Sequence, residues 1–452
     1  MLLYFSRNYC ILINRVSLLV NRSSKEDYMS NIYNELKQRG FIKQETGSVQ
    51  DGDPESQKPE KASALEILLD HSKVTYYVGF DPTADSMHVG HLLPIMAMTH
   101  MQRAGHIPIA IIGGGTTMIG DPSGRTEMRQ MLSREDIVAN GVQLLAQLKR
   151  YLVFGESVGL FINNADWLLP LNYIEFLRDI GKYFKVNEMI KAEAYKMRLD
   201  RDEGLSFIEF NYQLLQAYDF LVLFEQHGCT VQMGGDDQWS NILAGIDLIR
   251  KVKQKQAHGL TFPLLTTARG QKMGKTESGA VWLDSVKTSP YEYYQYWINS
   301  DDRDVEKFLK LFTFLPVDEI AELCVQGGQH LRVAKEVLAF EATKITHGEE
   351  EAKKARTSSR SLFASGEGEA SDAPSTTIAK LDAGGLKLAE VLVRIGLSPS
   401  KTEANKLIKA GGIYVGNKPI TDIATTLSQL LEAGTSVLLR KGKKTYHRVI
   451  IG

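Results

Sequence analysis

Two imidazoles three residues apart, His88 and His91 in HVGH (residues 88–91), and two amines, Lys272 and Lys275 in KMGKT (residues 272–276), are the side chains here best suited to phosphate chemistry. A histidine ring offers N–H donors and a lysine a full positive charge, and both suit the oxygens of a triphosphate. Gly270, Gly274 and Gly279 punctuate the lysine loop and would let it hinge. A third group, Tyr212, Gln216 and Asp219, is spaced i, i+4, i+7, so one helix face presents a phenol, an amide and a carboxylate. An all-structural face would more often be aliphatic. Taken singly, HVGH also fits a helix cap and the lysines a solvated charge run. Their order and separation together favour a polyphosphate clamp.

These groups need elements to hold them. The histidines follow an apolar run, Val74 to Phe80, and a turn-rich stretch, Asp81 to Ser86. Asp85 and Ser86 are good N-cap residues, so a helix is expected to begin after them with both imidazoles on its first turn. A helix start favours anions through its unpaired N–H groups and partial positive charge. Between Lys73 and about Leu265, short apolar runs alternate with longer amphipathic ones. Strands are expected at Thr75–Phe80, Ile107–Gly113, Leu160–Asn163 and Thr230–Gly234, and helices at Gly90–Ala104, Ser133–Phe154 and Tyr173–Phe184. That alternation predicts an α/β fold with a mainly parallel sheet, whose ligands sit beyond the carboxyl ends of the strands. Asp81 to His91, Gly113 to Arg129 and Gly234 to Gln238 follow those ends. Gly113-Gly114-Gly115 would let backbone approach a ligand closely but does not match the dinucleotide fingerprint, which argues against a dehydrogenase.

The chain has 452 residues, enough for roughly three domains. With 43% hydrophobic and 24% charged residues it is globular in composition. A net charge of −1 hides an asymmetry: Ile378 to Gly452 holds twelve Lys and Arg against five Asp and Glu. A basic tail on a mildly acidic body reads as a footprint for a polyanion. Cys10, Cys229 and Cys324 are scattered, without disulfide or zinc spacing. No apolar stretch reaches the ~18 residues of a membrane span. Residues 1–28 carry Arg7, Arg15, Arg22 and Lys25 with no acid before Glu26, which suits a mitochondrial presequence. Met29 is the favoured start, with 1–28 over-extended or disordered. From Ser289 to about Phe363 the chain reads as helical, Ser365 to Thr377 as a flexible linker, and the basic tail as two amphipathic helices followed by a β element.

HVGH and KMGKT resemble the HIGH and KMSKS motifs of class I aminoacyl-tRNA synthetases. Residues 77–91 (YVGFDPTADSMHVGH), 212–219 (YQLLQAYD) and 232–241 (QMGGDDQWSN) are similar to those of bacterial-type tyrosyl-tRNA synthetases, and the tail resembles an S4 RNA-binding domain. The resemblance runs from about Met29 to the C-terminus. It implies a Rossmann-like parallel-sheet catalytic domain at 29–265, a KMSKS-like loop with an α-helical anticodon-side domain at 266–364, a linker at 365–380 and a small α+β S4-like domain at 381–452. It implies that Tyr77 and Asp219 bind the phenol of tyrosine, that Asp121, Tyr212 and Gln216 hold its ammonium group, and that Asn164 lies near the pocket wall. Gly79, Asp81, Gly235, Asp237 and Gln238 would contact the adenylate. His88 and His91, joined by Lys272 and Lys275, would grip the polyphosphate, with Arg125 and Arg129 adding charge nearby. Lys401, Lys406 and Lys409 would face RNA phosphates over a core of Leu388, Val391, Leu392, Ala404 and Leu407.

The implied substrates are L-tyrosine, ATP as its magnesium complex and tRNA(Tyr). No permanently bound metal or organic cofactor is expected, and no membrane. A cytoplasmic homodimer is implied, or a mitochondrial-matrix enzyme if 1–28 is a genuine presequence. Gly274 and Thr276 depart from the serines of the family motif. A tryptophan-specific relative, a small-molecule nucleotidyltransferase and a non-catalytic RNA-binding scaffold are the rival readings. Tyr77 and Asp219 count against the first, the basic tail against the second, and the intact histidines and lysines against the third.

Overall fold

Thr75–Phe80 and Ile107–Ile112 carry β-branched or aromatic residues at most positions, which suits strands covered on both faces. The computed structural model describes residues 31–47, 62–123, 132–200, 204–271, 273–276, 279–325, 329–364, 375–379, 385–416, 418–431, 435–442 and 445–452. Its first sheet is built from β1 (Gln44–Glu45), β2 (Thr75–Phe80), β3 (Ile107–Ile112), β4 (Leu160–Asn163), β5 (Cys229–Gly235) and β6 (His258–Phe262). They lie in the order β1-β6-β5-β2-β3-β4. All neighbours run parallel except β1, which pairs antiparallel with β6. From β2 the chain moves outward through β3 and β4, then returns to β5 on the other side. The order therefore reverses between β2 and β5, where an open α/β sheet leaves its crevice.

Period-2 alternation decides which helices cover each face. Tyr77, Ile109 and Ile111 pack into one buried cluster with Ala217, Phe220, Leu221, Leu223, Leu248 and Ile249. These come from the helices Tyr212–His227 and Trp239–Lys253. On the other face the Tyr76 hydroxyl donates to the Met98 carbonyl at 2.5 Å, inside the helix Leu92–Arg103.

The chain divides into two compact units, one comprising residues up to Met273 plus Glu306–Val325, the other Gly274–Val305 plus Gln326 to the C-terminus. The 266–364 segment read from the sequence is thus divided, because Glu306–Val325 is anchored from the N-terminal side. Buried Arg39, at the end of the helix Ile32–Arg39, donates to the carbonyls of Lys310, Thr313 and Leu315 at 2.9, 3.2 and 2.6 Å. These acceptors lie at and just beyond the end of the helix Val305–Phe312, where carbonyls lack intrahelical partners.

In the second unit β7 (Lys275–Thr276) pairs antiparallel with β8 (Gly279–Ala280). Helices follow at Pro290–Ile298, Gln329–His347 and Glu349–Ala364. The first is set by a capping box of Ser289 and Glu292 with Pro290 at its start. The C-terminal sheet joins β9 (Ser375–Ile378), β10 (Ile413–Val415), β11 (Lys418–Ile420), β12 (Ser436–Lys441) and β13 (Thr445–Ile451) in the order β11-β10-β12-β13-β9. Leu388, Val391, Leu392 and Ala404 are fully buried there and Leu407 packs against them. Ser375–Ile378 corrects the linker reading: Thr376, Thr377 and Ile378 favour extended backbone, and the segment pairs parallel with β13.

Other expectations shift for local reasons. The helix expected over 133–154 ends at Leu148, because the Gln102 side chain captures the backbone N–H and carbonyl of Val153 at 3.0 and 2.7 Å. The 173–184 helix stops at Asp179, and a short 3-10 turn, Gly181–Tyr183, follows. Residues 1–28 and most of 365–380 lie outside the described residues. Among the described residues no helix is long and apolar enough to cross a membrane.

Replacing Arg39 with methionine leaves three carbonyls without their guanidinium donor. It should lower unfolding stability by about 3 kcal/mol, read as a fall in the urea midpoint. An unchanged midpoint would mean that water takes over the donor's place.

Candidate active site

The histidine motif supplies its own cap. Asp85 and Ser86 do not start the helix, because Ser86 is buried and its hydroxyl is engaged by the Met87 carbonyl and Gln147. His88 stands in the cap position of a 3-10 turn, Val89–His91, that leads into the helix Leu92–Arg103. Its Nδ1 accepts from the Gly90 amide at 3.0 Å, and the His91 Nδ1 accepts from the His88 amide at 3.2 Å. A neutral imidazole that accepts through Nδ1 carries its proton on Nε2. The two rings lie 4.2 Å apart between centroids, so two Nε2–H donors are presented together.

Gly90 leaves room for this arrangement. A Cβ there would fall 2.7 Å from His88 Cε1 and 3.2 Å from the carbonyl oxygen of Met273. Met273 is buried, and its backbone N–H donates a hydrogen bond to the Leu265 carbonyl at 3.0 Å. Met273, the second residue of KMGKT, therefore lies against the glycine of HVGH. Lys272, Arg125 and Arg129 lie outside the described residues, as does the side chain of Lys275, whose backbone forms β7 in the second unit.

Beyond the carboxyl ends of β2, β3 and β4 runs a chain of buried and partly buried polar contacts. Asp219 accepts from Trp167 Nε1 at 2.7 Å and from Asn164 Nδ2 at 2.9 Å. Asn164 also donates to Thr116 Oγ1 at 3.0 Å and accepts from the Gly115 amide at 2.8 Å. Thr116 donates to Asp81 Oδ1 at 3.0 Å, and the Tyr212 hydroxyl donates to Asp81 Oδ2 at 3.3 Å. The triple glycine fits protein groups. A Cβ on Gly113 would sit 2.0 Å from Asp81 Oδ1, and one on Gly114 2.2 Å from Asn163 Oδ1.

A second chain lies beyond β5. Asp121 accepts from the Ser123 amide at 2.8 Å and from Gln238 Nε2 at 2.7 Å. Asn241 donates to Gln238 and Gln216, each at 3.2 Å. Gly235 ends β5, and Asp237 and Gln238 lie on the 3-10 turn after it. Gly79 is the exposed position of an otherwise largely buried β2. Lys401, Lys406 and Lys409 belong to the second unit, exposed on the helix Lys401–Lys409; Lys401 pairs with Glu390 at 2.7 Å. Thr116, Ser123, Trp167 and Asn241 were not singled out from sequence. Thr116 follows the triple glycine and Asn241 closes QMGGDDQWSN, which were the available signals.

Burial sets the electrostatics. Desolvation pushes the Asp219 carboxyl up to about 7 against the lowering bonds from Asn164 and Trp167, with the Asp81 charge adding to the rise. Burial, then the Asp219 charge, raises the Tyr77 phenol well above its ordinary value. Tyr77 Oη is buried with no hydrogen-bond partner among the described residues. The site thus joins an unpaired phenol donor, a buried carboxylate and a pair of imidazole donors.

The Asp219 shift has a definite sign. A carboxyl with a folded pKa near 7 and an unfolded one near 4 holds its proton more tightly when folded, so stability falls as pH rises through that interval and levels off above it. Relative to wild type, Asp219→Asn should gain about 2.5 kcal/mol between pH 5 and pH 8, measured by urea unfolding at a series of pH values. A constant difference across that range would show that Asp219 stays ionised in the folded chain.

Comparison with known proteins accords with this geometry. The family described as "tRNA synthetases class I (W and Y)" matches residues 69–364, and the "Tyrosine--tRNA ligase SYY-like C-terminal domain" matches residues 367–449. The tyrosine–tRNA ligase of Caldanaerobacter subterraneus subsp. tengcongensis is 52% identical over 416 residues, covering 92% of this chain and 98% of its own. That of Clostridium botulinum (strain Hall) is 50% identical over 423 residues, covering 94% and 100%. A C-terminally truncated mitochondrial tyrosyl-tRNA synthetase of Aspergillus nidulans superposes with a TM-score of 0.64 at 31% identity, over 75% of this chain and 98% of that one. With the buried carboxylate, the paired imidazoles and half its residues shared along nearly the whole length of such relatives, the chain belongs to the tyrosine–tRNA ligases, class I aminoacyl-tRNA synthetases.

Proposed function

We propose that the residues of this site divide the ligase reaction between a phenol end, an ammonium end and a polyphosphate end. The observation that carries the reading is the buried, unpartnered Tyr77 hydroxyl beside Asp219. A substrate phenol can donate to Asp219 and accept from Tyr77, whereas phenylalanine would leave both buried groups without that partner. Asp121, Tyr212 and Gln216 receive the ammonium group, with Asn164 supporting Asp219. Gly79, Asp81, Gly235, Asp237 and Gln238 contact the adenylate. His88 and His91 hold the polyphosphate, joined by Lys272 and Lys275.

In the first step an oxygen of tyrosine's ionised carboxylate attacks the α-phosphate of MgATP; the bond to the β-phosphate breaks and pyrophosphate leaves. In the second, a hydroxyl of the tRNA's terminal adenosine attacks the tyrosyl carbonyl, and AMP departs. The first nucleophile is already deprotonated at neutral pH, so no strong base is required. Position and charge stabilisation dominate, which suits Nε2–H donors, lysines and a helix start. Lys401, Lys406 and Lys409 of the basic C-terminal domain are assigned to RNA phosphates. The reading includes a homodimer and a cytoplasmic location; light scattering on the purified chain tests the dimer.

Pyrophosphate exchange into ATP should require tyrosine and fail with tryptophan or phenylalanine. No exchange with any amino acid would overturn the reading. Lys275→Ala should slow adenylate formation at least a hundredfold while shifting tyrosine affinity only severalfold, estimates of about that size following from loss of one transition-state charge contact. A normal single-turnover rate would remove Lys275 from the role.

A further inference from the structure

We propose that Thr116 is a positioning residue that links the phenol end of the site to the ammonium end through a hydrogen-bond relay of fixed direction. The inference rests on the assignment of Asp219 and Tyr212 to those two ends. The direction follows from donor and acceptor accounting. The Gly115 amide can only donate, so Asn164 turns Oδ1 toward it and Nδ2 toward the other side. Nδ2 has two hydrogens, one directed at Asp219 and one at Thr116. Thr116 Oγ1 thus accepts from Asn164, and its single hydrogen goes to Asp81 Oδ1. The other oxygen of Asp81 takes the Tyr212 hydrogen. A Tyr212 hydroxyl whose hydrogen is committed to Asp81 presents lone pairs in its other directions, the polarity that an ammonium group needs.

Thr116 is where the relay is most easily broken. It is 3% exposed, and it stands on the turn after β3 where Gly113 lets Asp81 approach. A Cβ on Gly113 would lie 2.5 Å from Thr116 Oγ1 as well as against Asp81, so the glycine clears the path of this one bond. Valine has the shape of threonine without the hydroxyl. It would leave an Asn164 hydrogen and an Asp81 oxygen facing a methyl group.

The test is tyrosine-dependent pyrophosphate exchange on Thr116→Val, Thr116→Ser and wild type, with thermal unfolding of each. Thr116→Val should raise the KM for tyrosine on the order of tenfold to a hundredfold and lower discrimination against phenylalanine. Thr116→Ser should restore tyrosine KM and discrimination together. Thr116→Ala gives the same readout if the valine variant does not accumulate folded. Asp219→Asn and Tyr212→Phe are the controls. If these raise tyrosine KM and Thr116→Val does not, the relay is overturned and the site assignment stands. If neither control changes it, the assignment itself fails. A loss of Thr116→Val activity that tracks a lower Tm, with discrimination intact, would also overturn the relay.

Discussion

A carboxylate removed from water must be surrounded by donors or give up its charge, and Asp219 is held between those outcomes. Burial raises its pKa while Trp167 and Asn164 oppose the rise. Trp167 and Asn164 arrive from the end of β4, Asp219 from the helix Tyr212–His227, and Thr116 and Gly115 from the turn after β3. Meeting the hydrogen-bonding demand of one buried group thus requires two loops at one end of the sheet and one helix to have fixed geometry. The same geometry sets Asp81 after β2 and Tyr212 at the start of the helix that carries Asp219.

Glycine makes the convergence possible by steric room. None of Gly113, Gly114 and Gly115 has a positive φ, so their value is the missing Cβ: side-chain atoms of Asp81, Asn163 and Leu168 occupy the space each would need. Gly90 does the same for His88 and the Met273 carbonyl. In both places the sequence motif and the structural requirement are one fact, a backbone that must pass within van der Waals distance of another group. Because the neighbours at Gly113 are charged or hydrogen-bonding, even alanine would displace an interaction as well as an atom.

Four of the five parallel strands were legible because their residues are mostly apolar; β2 and β4 fall at the expected residues. β1 has only two residues, and β6 mixes histidine, glycine and threonine among its apolar positions, so neither shows a clear period. Gln102 ends the helix at Leu148 from some fifty residues away, which no local pattern contains. The site divides similarly. Tyr212, Gln216 and Asp219 share one helix face and could be read from spacing. Thr116, Trp167 and Asn241 work through partners far off in sequence, and a lone threonine, tryptophan or asparagine has no signature until those partners are in place.

The cap of the His88 helix shows how local propensity gives way to tertiary demand. Asp85 and Ser86 are the better capping residues, yet Ser86 is spent on Gln147 in the helix Arg134–Leu148. The cap passes two residues along to a side chain with weaker capping preference. The consequence is chemical. A serine cap would leave both imidazoles undirected, whereas histidines that accept backbone amides through Nδ1 have their tautomer fixed. Their Nε2–H donors are then set before any anion arrives. Preorganised donors need no reorientation as charge develops on a phosphate, which is the condition under which electrostatic stabilisation acts most strongly. On the proposed polyphosphate role of His88 and His91, the weaker cap therefore serves the reaction better than the stronger one would.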